Sequence, residues 1–166
     1  MRQITVALAA LSLSLFATMT WYTWTVLKPF AQGLPPFDMR VLGYSEAATR
    51  QYLEAMESPA RAFYLLEMRM LDTLFPLALA GFCGTVILLL TRGWHAWSRL
   101  MLLLPVAGYA VMDLAENSLT RALVRAGAER FDVTLAMRAS QFTISKFVLL
   151  LASVLLILWL WRRARA

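Results

Sequence analysis

The sequence predicts an all-α integral membrane protein, a four-helix bundle carrying a helical extracytoplasmic cap. Three observations predict it. Sixty per cent of the 166 residues are hydrophobic and only 16% are charged, with a mean hydropathy of +0.62. Water-soluble domains carry about 25% charged residues. Four uninterrupted apolar stretches are each long enough for a bilayer core about 30 Å thick, which takes about 20 helical residues. The net charge of +6, unusual in an ordinary soluble enzyme, gathers at one end of those stretches. The composition excludes a disordered chain and a nucleic-acid-binding tail.

The first span covers about residues 4–27, with no charge between Ile4 and Leu27. Arg2 before an apolar run resembles a secretory signal, but the run is too long and ends in Trp21, Tyr22 and Trp24. It also lacks a small-x-small cleavage site, so it reads as a retained span. An external segment follows over about 28–70. It opens with Gln32-Gly33-Leu34-Pro35-Pro36, which must be extended or turned. Ser45 then fits the N-cap of a short helix from about Glu46 to Glu57. Ser58-Pro59 reads as a cap and first-position proline of a helix running into the second span, about 71–91, with a kink expected at Pro76. The third span covers about 100–120 and can continue through Arg121 and Arg125 until Gly127 ends it. Asp132 fits the N-cap of the last helix, whose span covers about 142–161. The whole chain, 1–166, is one domain without repeats.

Orientation follows from the positive-inside bias. The N-terminus, the Thr91–Arg99 loop and the C-terminal tail hold six basic residues (Arg2, Arg92, Arg99, Arg162, Arg163, Arg165) and no acid. The rest holds ten of each sign and sums to zero. Trp94, Trp97, Trp159 and Trp161 mark the inner interface, and Trp21, Tyr22 and Trp24 the outer one. Both termini are therefore expected in the cytoplasm of a multi-pass protein.

Ionisable groups within a span cost roughly 2.5–3.5 kcal/mol each on insertion scales and are functional candidates by default. Counted from the inner arginines, Asp113, Glu116 and Lys146 stand about 20–26 Å up their helices. Asp72 stands slightly higher. Tyr109, Asp113, Glu116 and Asn117 form one stripe of the third helix. Ser14, Thr18, Tyr22 and Thr25 form a hydroxyl stripe on the first. These stripes are expected to converge on the bundle interior, which gives Asp72, Tyr109, Asp113, Glu116, Asn117, Lys146, Thr18 and Tyr22 as candidate ligand-binding residues. Three readings stay open. The charges are a buried ion pair that fixes helix register; they line a water-accessible or lipid-binding cavity; or Asp113 and Glu116, beside Lys146, act as acid and base, because proximity separates the pKa values of neighbouring carboxylates.

Other features read as structural. Cys83, between Gly81 and Gly84, points to close helix packing. His95 lies in the inner loop, away from every carboxylate, which excludes a Ser-His-Asp or Cys-His arrangement. One cysteine and one histidine leave no ligand set for a metal site, and no cofactor motif is present.

The strings Phe37-Asp38-Met39-Arg40, Gly43-Tyr44-Ser45, Asp72-Thr73-Leu74-Phe75-Pro76 and Asp113-Leu114-Ala115-Glu116-Asn117 together resemble a group of small bacterial four-span membrane proteins with an FDxR, GYS, DxxFP and DxxEN pattern. The resemblance covers the chain from Phe37 to Asn117. It implies a bacterial inner-membrane location and carries no activity with it.

The expected partners are the lipid bilayer, a lipid or small amphiphile, and a second membrane protein; nucleic acid is not among them. The expected function is binding of a lipid-like ligand or a partner helix in an outward-facing polar cavity, rather than catalysis. The alternative is an intramembrane acid–base enzyme acting on a lipid-like substrate. A conducting pathway is disfavoured, because Leu100–Gly108 and Val148–Leu158 are nearly all apolar.

Overall fold

Residues 1–165 are described by a computed structural model; Ala166, the last residue of the expected domain, lies outside the described residues. Four helices are long and apolar enough to cross a membrane: α1 (Arg2–Leu27), α3 (Ser58–Leu90), α4 (Ala96–Ala126) and α5 (Val133–Arg163). A short helix, α2 (Glu46–Ala55), lies in the connection between α1 and α3. The described residues contain no strand. The chain is an all-α four-helix bundle with a helical cap at one end.

The helix ends follow from local chemistry. Ser45 accepts a hydrogen bond from the Ala48 N–H and starts α2. The extended residue before α3 is Glu57, so the helix starts one residue earlier than expected and Ser58 and Pro59 lie inside its first turn. Asp132 Oδ1 accepts from the Thr134 and Leu135 N–H groups at 2.7 and 3.4 Å and starts α5. Gly127, at φ +72°, ends α4. α3 runs unbroken through Pro76, and its irregularity falls earlier, in a π-turn at Tyr64–Met68. A second π-turn, Thr23–Leu27, closes α1. In α4 a single non-helical residue, Leu103, precedes Pro105.

Helix packing is asymmetric. α4 lies along α5, α3 lies along both α1 and α4, and α1 makes no close seam with α5. At the end away from the cap, Cys83, Ile87, Val106 and Leu160 draw α3, α4 and α5 into a sealed apolar core. Glycines let helices approach there and in mid-bundle: a Cβ on Gly81 would stand 3.3 Å from Leu8, and one on Gly108 would stand 3.1 Å from Leu149.

The cap has its own core. Leu27, Phe37, Tyr44, Tyr52, Leu53 and Met56 are buried together with Tyr64 and Met68 of α3, Leu123 and Val124 of α4, and Ala136 and Ala139 of α5. Arg40 holds the connection in place. Its guanidinium donates to the Pro35 carbonyl at 3.1 and 3.0 Å and to the Ala48 carbonyl at 3.2 Å. It also lies 5.4–5.9 Å from the rings of Phe37, Tyr44 and Tyr52. The cap is fastened to α5 where the Tyr44 N–H donates to Ser140 Oγ at 2.8 Å. The approach is so close that a Cβ on Gly43, at φ +82°, would stand 2.6 Å from the same oxygen.

Candidate functional site

Beneath the cap, polar groups of all four spans and one cap residue face a common space. The α3–α4 side is set by a proline. Pro76 has no N–H, so the Asp72 carbonyl four residues earlier loses its helical partner. Asn117 of α4 supplies one: its Nδ2 donates to that carbonyl at 2.7 Å and to Asp113 Oδ2 at 3.1 Å. One amide thus fixes the height of α3 against α4 and orients a carboxylate.

Lys146 of α5 bridges the two acids of α4. Its Nζ lies 2.7 Å from Asp113 Oδ1 and 2.6 Å from Glu116 Oε2. All three side chains are buried, Lys146 at 5% exposure and Glu116 at 1%. Spacing i and i+3 places both carboxylates on one face, so a single ammonium reaches both. A charge removed from water is tolerated when paired and hydrogen-bonded. Here two carboxylates share one cation, and the trio keeps one negative charge in excess.

A third acid comes from above. The 3₁₀ turn Phe37–Met39 buries Phe37 in the cap core and turns Asp38 down towards the bundle. Asp38 Oδ1 is buried without a hydrogen-bond partner. Burial holds its carboxyl above the usual aspartate range; Lys146 opposes that rise and Asp113 adds to it. Burial likewise raises the Tyr44 hydroxyl, with nearby Glu116 pushing in the same direction. Asp72, only 8% exposed, is the fifth charged group, and its carboxylate has no ion-pair or hydrogen-bond partner among the described residues.

Together these groups form the back of a cavity of about 380 Å³. Asp38, Asp72, Tyr109, Asp113, Asn117 and Lys146 supply the polar wall. The apolar walls are Phe16, Met19 and Trp24 of α1, Met39 and Val41 of the cap, Phe75 of α3, and Phe147 and Leu150 of α5. Phe16 and Phe75 meet at 6.0 Å between ring centres, closing the α1–α3 side. α1 and α5 are not closely packed on each other, so the walls that carry Trp24 and Leu150 are not closed by a helix–helix seam.

The structure therefore brings Asp72, Tyr109, Asp113, Asn117 and Lys146 into the cavity wall. Glu116 stands behind Lys146 and does not line the space. Thr18 and Tyr22 are not brought in. The π-turn and the packing of α1 on α3 leave Thr18 exposed, its Oγ1 donating to the Ser14 carbonyl at 2.9 Å. Tyr22 packs on Phe63 at 4.8 Å between ring centres. Thr20 and Thr23 line the cavity from α1 in their place. Asp38 was not among the residues expected from sequence. The available signal was an acid between Phe37 and Met39, an apolar context that predicts burial.

Among the described residues no group of three or more His, Cys, Asp and Glu side chains is placed to hold a metal ion. Comparison with protein-family models, with curated proteins and with solved structures finds no match to this chain.

Proposed function

We propose that this chain is a bacterial inner-membrane protein, with both termini in the cytoplasm, that binds a lipid-like amphiphile in the cavity beneath its cap. The observation that carries this reading is the cavity itself, with a polar wall from α3, α4, α5 and the cap, apolar walls opposite, and no close seam between α1 and α5. Ligand sites are concave and mostly apolar, with a few polar groups that set orientation. A head group entering here meets Asp38, Asp72 and Tyr109 while its chain stays against Phe147 and Leu150. The orientation rests on the six arginines at the end opposite the cap.

The shape does not favour conduction, because the space ends at the apolar core of Cys83, Ile87, Val106 and Leu160. Acid–base catalysis by Asp113 and Glu116 is also less well supported. Glu116 does not face the cavity, and both carboxylates are already held by Lys146. A partner helix is the alternative occupant of the α1–α5 side, but it would leave Asp38 and Asp72 without counter-charges.

Native mass spectrometry of the protein extracted with its own lipids tests the proposal. Wild-type protein should retain a stoichiometric species of lipid mass through gentle activation, and Leu150→Trp, which fills the mouth, should lose it. Equal retention by both would contradict the reading.

A further inference from the structure

We propose that the cavity selects a cationic amphiphile, an amine-bearing head group held between Asp38 and Asp72 with its alkyl chain leaving between α1 and α5. The inference rests on the cavity-binding reading and specifies the chemistry of the occupant.

The charge balance of the wall carries it. Three carboxyl groups line the space, a fourth, Glu116, stands behind Lys146, and one ammonium answers them. That ammonium is spent on the two acids of α4, at 2.7 and 2.6 Å. Asp72 is more than nine-tenths buried, lines the cavity and has no protein partner. Asp38 reaches the same wall from a different element, with a buried, unpartnered Oδ1. An unpaired carboxylate in a low-dielectric site either takes a proton or takes a cation. An anionic head group would meet both acids, while Arg40 is committed to the Pro35 and Ala48 carbonyls and the Lys28 ammonium is held 3.6 Å over the Trp24 ring.

The geometry also separates an organic cation from a metal ion. Among the described residues no three acids come together as a metal-ligand set. A space of about 380 Å³ accommodates a head group of several atoms with the first part of a chain. An ammonium carries three donors that can be divided between two separated carboxylates. Phe16 and Phe75 in the walls add aromatic faces, which attract ammonium groups, and the Trp24 ring already carries one, that of Lys28 at 3.6 Å.

The test uses the full-length protein in a neutral detergent and three probes of equal chain length: dodecylamine, dodecanol and dodecyl sulfate. Binding is read by displacement of a fluorescent dansyl alkylamine. Dodecylamine should bind at least tenfold more tightly than the alcohol, and dodecyl sulfate should bind more weakly still. Asp72→Asn and Asp38→Asn should each weaken the amine about tenfold or more and leave the alcohol within twofold, with folding checked by thermal melting. Competition by a short-chain phosphatidylethanolamine would identify a bilayer lipid as the source of the ammonium. Its failure to compete, with the amine still preferred, would identify a free amine. Equal affinity for the three probes, with Leu150→Trp abolishing all of them, would overturn the cationic preference and leave the cavity reading standing. Binding that survives Leu150→Trp unchanged would overturn both.

Discussion

Asn117 bridges two helices because Pro76 leaves the Asp72 carbonyl free. The cost of removing it should therefore depend on the proline. Leaving a buried acceptor unpaired costs about 1–3 kcal/mol. Asn117→Ala should lower stability by about that amount in denaturant titrations in detergent. In a Pro76→Ala background, the new N–H can take the Asp72 carbonyl, so the same substitution should cost clearly less. The remainder reflects the lost bond to Asp113. Strictly additive losses would show that the two residues are not coupled through that carbonyl. Asp38 gives a prediction in pH. Its carboxyl is raised by burial in the folded protein, so the native state holds a proton that the unfolded chain releases from about pH 4 upward. Stability of the unliganded protein should fall as pH rises from there towards the raised value. Asp72, Asp113 and Lys146 face the same space and shape the steepness of that fall. Asp38→Asn should flatten the profile and raise the melting temperature at neutral pH; a profile unchanged by the substitution would contradict the burial.

At the scale of elements, the spans and most helix ends were legible because they depend on local chemistry. Charge-free length marked the spans, Ser45 and Asp132 marked helix starts, and Gly127 marked a helix end. The stripe of Asp113, Glu116 and Asn117 was legible for the same reason, since burial of charge fixes which face of a helix turns inward. The hydroxyl stripe of α1 was not. Thr18 and Thr25 donate to the carbonyls of Ser14 and Trp21 at 2.9 and 2.8 Å, so each hydroxyl is satisfied within its own helix and can face lipid. Asp38 escaped periodicity because it sits in a 3₁₀ turn of a connection, where only the tertiary fold decides direction. The GYS string acts as the fastener between cap and α5. Gly43→Ala should cost about 1–3 kcal/mol from its positive φ alone, and more because the new Cβ meets Ser140 Oγ. Gly33→Ala, also at positive φ but with nothing within 4 Å, supplies the control for backbone strain. Limited proteolysis of the 28–57 segment should accelerate in Gly43→Ala and much less in Gly33→Ala. Equal rates would show that the cap is not fastened at Ser140.

For the whole molecule, the arrangement is a bundle closed by an apolar core at one end, with a cavity beneath the cap whose α4 and α5 walls are tied together by Lys146. Lys146→Met removes the one cation from between two carboxylates, and breaking a buried pair typically costs about 3–5 kcal/mol. Replacing Asp113, Glu116 and Lys146 together by Asn, Gln and Met removes the uncompensated charge and should recover most of that loss in thermal melting. If the triple variant is as unstable as Lys146→Met, the three residues are not a unit. A purely structural brace would tolerate such a neutral replacement without other consequence, whereas a site would lose its ligand. The central claim is that the space between α1 and α5 holds an amphiphile. The most direct measurement is photo-crosslinking in membranes with a diazirine-bearing alkylamine, mapped by peptide mass spectrometry. Crosslinks should concentrate on residues 16–24 and 147–150 and disappear from both in Leu150→Trp. Crosslinks spread evenly over the lipid-facing residues of all four helices, Leu66 and Val111 included, would contradict the account.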